Sequence, residues 1–272
     1  MLEGIKNKRD RIVEILHESP QLHGINRASW SLATISQAFQ KLYGEPIGKT
    51  TISEYIRAEG YSFRKARRQL TSPDPDFREK LAVITKILSS LGEDEKFFSV
   101  DEFGPFSVKM RGGKAYTPKG TIRIVPQWQR SRGSLILTGA LELSTNQMTH
   151  FYSERKNTDE MIKLLEILLI QYSNQRCLYL SWDAASWHIS DKLAKRVQDA
   201  NATADIFQGR QPIVRLVPLP SSAQFLNVIE SVFSGMAKAV LHNSDYPTLE
   251  ECKVSIDTYL TDRNEHYRQH PC

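Results

Sequence analysis

Cys177-Leu178-Tyr179-Leu180-Ser181-Trp182-Asp183 is a short apolar run that ends on an acid. A run of this length bounded by polar residues reads as a buried strand. The residues after it, Ala184-Ala185-Ser186-Trp187-His188, turn the chain toward a helix. An acid just past such a strand lies where open α/β sheets bind their ligands. Two further acids have matching positions. Asp101 follows the apolar strand Phe97-Phe98-Ser99-Val100, and Glu230 lies in the helix after the strand Ile213 to Val217.

Working outward, Leu135 to Leu141 predicts a strong strand with Gln147 to Tyr152 as its antiparallel neighbour. Pro105 to Met110 extends a hairpin with Gly112-Gly113 as its turn. Helices are expected from Thr158 to Tyr172, capped by Thr158, and from about Ser190 to Asn201. Two more close the chain, Gln224 to Leu241 and Thr248 to Tyr267. Three strands, helix, strand, helix, strand, helix describes a mixed α/β sheet flanked by helices. In such a sheet the first and fourth strands can be neighbours, which brings Asp101 and Asp183 to about 5 Å spacing across the ladder.

Composition bounds what this catalogue can do. The 272 residues, 40% hydrophobic, suffice for a real core in one large or two modest domains. No apolar run approaches a membrane span, and no signal peptide is legible. Cys177, Cys252 and Cys272 are scattered, so neither a zinc site nor a disulfide framework is indicated. A reducing cytoplasm is the expected location.

Charge is uneven. Residues 1–72 carry 12 Lys/Arg and 7 Asp/Glu, which accounts for the whole net charge of +5. That segment predicts a helix from Lys8 to Glu18 and another from about Ser29 to Phe39, with Ser29 or Ser31 as its cap. The turn Tyr43 to Gly48 then leads into a helix from Thr50 to Glu59. Helix, Gly-containing turn and helix form the helix-turn-helix pattern, whose second helix lies in the major groove of DNA. Lys49, Thr50, Thr51, Ser53 and Arg57 are then candidates to reach phosphates or base edges. The basic run Arg64, Lys65, Arg67 and Arg68 would track the backbone. Thr71 to Asp76, with Pro73 and Pro75, marks a boundary. The expected domains are 1–72, a linker and connecting helix over 73–96, and 97–272.

Each acid also has an ordinary reading. Asp101 suits a polar turn, Asp183 a helix cap, and Glu230 a pairing with Lys238 or plain solvation. Together they could hold divalent ions. An all-oxygen ligand set selects Mg²⁺ or Mn²⁺ over zinc. Two such ions, roughly 4 Å apart, activate an oxygen nucleophile and stabilise the leaving oxygen in phosphoryl displacement.

The blocks Phe98-Ser99-Val100-Asp101-Glu102, Ser181 to His188, and Val217-Pro218-Leu219-Pro220 followed by Leu226 to Glu230 resemble the signatures of bacterial insertion-sequence transposases of the mariner superfamily. Tyr116-Thr117-Pro118-Lys119-Gly120, and Trp30-Ser31-Leu32 with Thr50-Thr51-Ile52, match further segments of that family. The resemblance implies a ribonuclease H-like fold preceded by a small all-α helix-turn-helix domain. It implies a DDE triad of Asp101, Asp183 and Glu230 that binds Mg²⁺ or Mn²⁺, as a pair of ions. It also implies an endonuclease that cuts element ends in double-stranded DNA and joins the freed 3′-hydroxyl to target DNA, acting as a homodimer. His188 is compatible with orienting a substrate phosphate and with packing beside Trp187.

The chain departs from the family pattern at Ala184, at Ser221 to Phe225 and at Val228. The 47 positions from Asp183 to Glu230 exceed the usual interval, with Ala202 to Gln211 as the expected extra loop. Relatives often extend beyond both ends of this chain, which raises a second expectation: a truncated, non-cutting protein that occupies element ends as a repressor. A general ribonuclease H-like nuclease is the third.

Overall fold

The computed structural model describes residues 7–66, 70–183, 185, 190–206 and 211–271. The chain separates into two compact units, Met1–Gln69 and Leu70–Cys272.

The first unit is three helices, α1 (Lys8–His17), α2 (Leu32–Tyr43) and α3 (Lys49–Ala58). Apolar residues at helical spacing explain why they associate. Ile12 and Ile15, Ile35, Ala38 and Phe39, and Ile52 meet in one small core. Ser31 caps α2 through a reciprocal capping box with Thr34. Gly44 ends α2 with φ of 70°, a left-handed conformation that glycine adopts without strain.

The second unit is built on a five-stranded sheet of order β3-β2-β1-β4-β5. Its strands are β1 (Glu95–Ser107), β2 (Ser134–Glu142), β3 (Gln147–Ser153), β4 (Cys177–Ser181) and β5 (Ile213–Leu216). The first three run antiparallel in sequence, and β4 and β5 add in parallel to the other side of β1. The expected mixed sheet, with its first and fourth strands adjacent, is therefore observed.

Strand alternation divides the core. Phe98, Val100, Leu178 and Leu180 face α5 (Thr158–Gln171) and α6 (Asp191–Ile206). On the opposite face Leu137, Leu141 and Met148 pack on α7 (Ile229–Met236) and α8 (Leu249–Gln269). Also on that side, Phe97 and Tyr179 pack with Ile84 of α4 (Phe77–Ser89). The connecting helix thus contributes to the core of the second unit. The segment before it is tied down too: Ser72 Oγ donates to Ser221 O at 2.6 Å, and Ser221 N–H donates to Asp74 at 2.7 Å.

Several boundaries differ from expectation. β1 does not stop at Val100 but continues to Ser107, because β2 pairs with it on both sides of an irregularity between Phe103 and Phe106. No hairpin turns at Gly112-Gly113; residues 108–133 contain neither helix nor strand. Asn157, not Thr158, caps α5, its side chain accepting from Glu160 N–H. The helix expected to end at Asn201 runs on to Ile206, so the first half of the expected loop Ala202 to Gln211 is helical. The helix expected from Gln224 is three pieces: a 3₁₀ turn (Gln224–Leu226), α7, and a π turn (Ala237–Leu241).

Candidate active site

Asp101 is on the β1 face that carries Phe97 and Ser99, because alternate residues share a face. On β4, Tyr179 and Ser181 occupy the matching positions, with Phe97 paired to Tyr179 and Ser99 to Ser181. Asp183 is the next alternate residue, just beyond the last residue of β4. The parallel pairing ends at Ser99–Ser181, and each aspartate follows it by two residues. The β1 face that carries Asp101 is the one α7 covers.

Gly139 is the antiparallel partner of Asp101, and the space a Cβ would take there is filled by the Met148 methyl, with Ile229 Cδ1 3.4 Å away. Ile229, fully buried, seats the start of α7 on the sheet beside Asp101. The next residue is Glu230. Asp101 and Glu230 line one cleft of about 460 Å³, together with Glu102, Ser234, Lys238 and His242.

The three candidate acids influence one another unequally. Burial, then the neighbouring charges of Glu102 and Asp183, push the Asp101 carboxyl up to about 6, against the opposing pull of a backbone N–H and Lys156. Burial and the charge of Asp183 also raise Glu230. Asp183 thus acts on both of the others. It also keeps its ordinary turn role, accepting from Ala185 N–H at 3.1 Å.

The acids share a site without closing on one another. Among the described residues, no three His, Cys, Asp or Glu side chains come together as a metal-binding group. The donor chemistry nevertheless fits a hard divalent ion. Mg²⁺ keeps several waters and typically takes one or two carboxylates, with substrate phosphates completing its shell. A cation would relieve carboxyls that burial and a neighbouring like charge hold up.

The expected helix-turn-helix residues lie where the pattern put them within their own unit. Lys49, Thr50, Thr51, Ser53 and Arg57 are on α3, with Lys49, Thr50 and Arg57 exposed and Ile52 turned to the core. Arg64 and Lys65 are exposed in the segment after it. Arg67, Arg68 and His188 lie outside the described residues.

Reading the sequence by periodicity and by whole-domain charge misses two features. Helical spacing places Asn227 on a polar stripe of one continuous helix; instead it is 4% exposed and precedes α7. Its amide donates to Asp101 Oδ2 at 2.9 Å. The helix breaks before it because Ser99 Oγ, rather than a helical carbonyl, accepts the Ile229 N–H. The second feature is the segment 108–133, with seven Lys/Arg and no acid. Tyr116, Ile122, Ile124 and Trp128 of this segment are exposed. It is fastened beside the cleft: Arg111 N–H donates to Ser244 O, Arg123 to Asn243 O, and Asn243 to Lys114 O. Charge summed over this segment alone reveals it; charge summed over the whole second domain averages it away.

Residues 96–253 match the model of a family described as DDE superfamily endonuclease. Over 231 residues the chain is 22% identical to the insertion element IS630 uncharacterized 39 kDa protein of Shigella sonnei, covering 85% of this chain and 63% of that protein. It thus spans less than two thirds of the length of this curated relative. Among solved structures it is similar to the Mos1 transposase paired-end complex with left transposon end, with TM-score 0.58 and 13% identity over 96% of this chain and 74% of that one. It is also similar to the Mos1 mariner paired end complex with Mn, with TM-score 0.56 and 13% identity over 98% and 76%.

Proposed function

The chain belongs to the DDE superfamily endonucleases, and from that premise we propose that it is a transposase whose catalytic acids are Asp101, Asp183 and Glu230. The observation that supports this reading is geometric: Asp101 and Glu230 line one cleft beside adjacent strands. Burial first, and then the charge of Asp183, raises both of their carboxyls. Carboxylates buried beside like charge have a use where a cation and a DNA phosphate arrive together.

The substrate is double-stranded DNA at the ends of a mobile element. Water attacks the scissile phosphorus, the P–O3′ bond breaks, and the products are a 3′-hydroxyl and a 5′-phosphate. The 3′-hydroxyl then attacks a target phosphodiester, so one P–O bond replaces another. Mg²⁺ or Mn²⁺, when bound, supplies nucleophile activation and stabilises the leaving oxygen; the manganese in the similar Mos1 complex supports this choice. Asp101 and Asp183 would hold it, with Glu230 completing the carboxylate set.

The remaining residues bind and orient. Lys49, Thr50, Thr51, Ser53 and Arg57 of α3 contact the element end, with Arg64, Lys65, Arg67 and Arg68 on its backbone. The cations of 108–133, fastened beside the cleft, neutralise phosphates near the cut. Two ends must be processed together, so a homodimer on DNA is the working assembly.

The test is cleavage of a labelled duplex carrying the flanking inverted repeat, with Mg²⁺, Mn²⁺ or chelator, for the wild type and Asp183→Ala. Metal-dependent cutting at the repeat boundary, lost in the variant, is the expected result. Binding without cutting in either metal would instead favour a repressor that occupies element ends. Equal cutting of random duplex would favour a general nuclease.

A further inference from the structure

Beneath the acids runs a buried chain of hydrogen bonds with only one consistent direction. Ile229 N–H donates to Ser99 Oγ at 3.2 Å. Ser99 Oγ donates to Asn227 Oδ1 at 2.6 Å. Asn227 Nδ2 donates to Asp101 Oδ2 at 2.9 Å. The Asp101 carboxylate, when ionised, can only accept, and that fixes the amide: its nitrogen faces Asp101. The Asn227 carbonyl oxygen then faces Ser99, whose one proton goes to it while the Ser99 oxygen accepts from Ile229 N–H. The flipped amide would set a carbonyl oxygen against a carboxylate. Asp101 Oδ1 accepts from Glu102 N–H at 2.7 Å, so each carboxylate oxygen receives one donor and keeps further acceptor capacity.

We propose that Asn227 is a positioning residue, which orients the Asp101 carboxylate for metal binding and ties it to the first turn of α7, where Glu230 begins. This rests on the proposed role of Asp101 as a ligand. Side chains that hydrogen-bond a metal ligand set its orientation and basicity. Here the same chain also joins two elements. Its ends are the β1 carboxylate and the backbone of Ile229, so the spacing of Asp101 and Glu230 does not depend on sheet packing alone. All the side chains between are buried: Ser99 and Asn227 are each 4% exposed, where an amide hydrogen bond is little weakened by water.

Ser181, the ladder partner of Ser99, is 2% exposed, and its hydroxyl has no hydrogen-bond partner among the described residues. It therefore offers a matched control.

The experiment measures Mn²⁺ binding to the full chain by electron paramagnetic resonance, the Mn²⁺ dependence of repeat cleavage, and the melting temperature. It compares wild type, Asn227→Leu, Ser99→Ala and Ser181→Ala. Leucine keeps the branched shape of Asn227, is somewhat bulkier, and removes the amide; the melting temperature reports the cost of that bulk. The expected result is a weakening of Mn²⁺ binding by about 10–100-fold in Asn227→Leu. A smaller shift in the same direction is expected in Ser99→Ala, which never touches the acid, and none in Ser181→Ala. Half-saturation of cleavage should move in step with binding. The proposal is overturned if Asn227→Leu and Ser99→Ala bind Mn²⁺ like wild type, or if cleavage falls only in proportion to melting temperature at unchanged Mn²⁺ dependence. A wild type that binds no Mn²⁺ and cuts no DNA overturns the proposed function, and this inference with it; a wild type that does both, beside unaffected variants, overturns the inference alone.

Discussion

Asp101 is the residue at which most of the forces meet: buried, beside two like charges, and held by two donors. Removing any of the three acids should reduce metal-dependent cleavage by about 10³-fold or more, because groups that act as a unit fail as a unit. Binding to the inverted-repeat duplex, measured by fluorescence anisotropy, should change little in Asp101→Ala or Asp183→Ala. At the other end of the unit, Asp74 behaves oppositely. The Lys80 ammonium, then the N–H groups of Ser221 and Asp76, hold its carboxyl far below the usual range. A depressed folded pKa gives stability that is full above the unfolded value of about 3.9 and lost as pH falls toward the folded value. Melting temperature against pH should therefore show wild type above Asp74→Asn at neutral pH, with the gap closing in acid. A gap independent of pH would mean the charge of Asp74 is irrelevant.

At the scale of the element, α7 and α8 bring the site together by how they sit on the sheet. Gly139→Val must displace the Met148 methyl and crowd Ile229. Overpacking of this kind costs about 1–3 kcal/mol; urea unfolding should report that loss, with cleavage reduced beyond it because α7 is lifted. The free edge of β3 is covered by α8 through Asn264, which accepts from Met148 N–H and donates to Met148 O, each at 2.8 Å. The amide copies the pairing of a neighbouring strand, one way of protecting an exposed edge. Asn264→Ala should cost about 1–3 kcal/mol, the usual penalty for leaving a buried group unpaired. Amide exchange at Met148 should accelerate more than at the centre of β1.

For the whole molecule, the proposed function assigns DNA binding to the first unit and cleavage to the second. The excess positive charge is carried in residues 1–72, and phosphates neutralised there should give DNA binding a steep salt dependence. In Lys49→Ala with Arg57→Ala, the slope of log K against log salt should fall by about 1.8, at about 0.9 for each phosphate no longer neutralised. An unchanged slope would remove those residues from the interface. No helix among the described residues is long and apolar enough to cross a membrane.

The family, the ribonuclease H-like mixed sheet, the pairing of its second and third strands and the adjacency of its first and fourth were legible in the sequence alone. Each rests on local signals: the apolar strands Cys177–Ser181, Phe97–Val100 and Leu135–Leu141, and the ordered blocks around the three acids. What the sequence could not yield was set by residues distant along the chain. β1 runs past Asp101 through Gly104-Pro105, which reads locally as a turn, because β2 supplies its ladder partners. Asn227 leaves the helix and enters the core because Ser99, 128 positions away, and Asp101 satisfy its amide. Periodicity is a property of neighbouring residues, whereas a buried polar group goes where its partners are, and only the tertiary structure determines where that is.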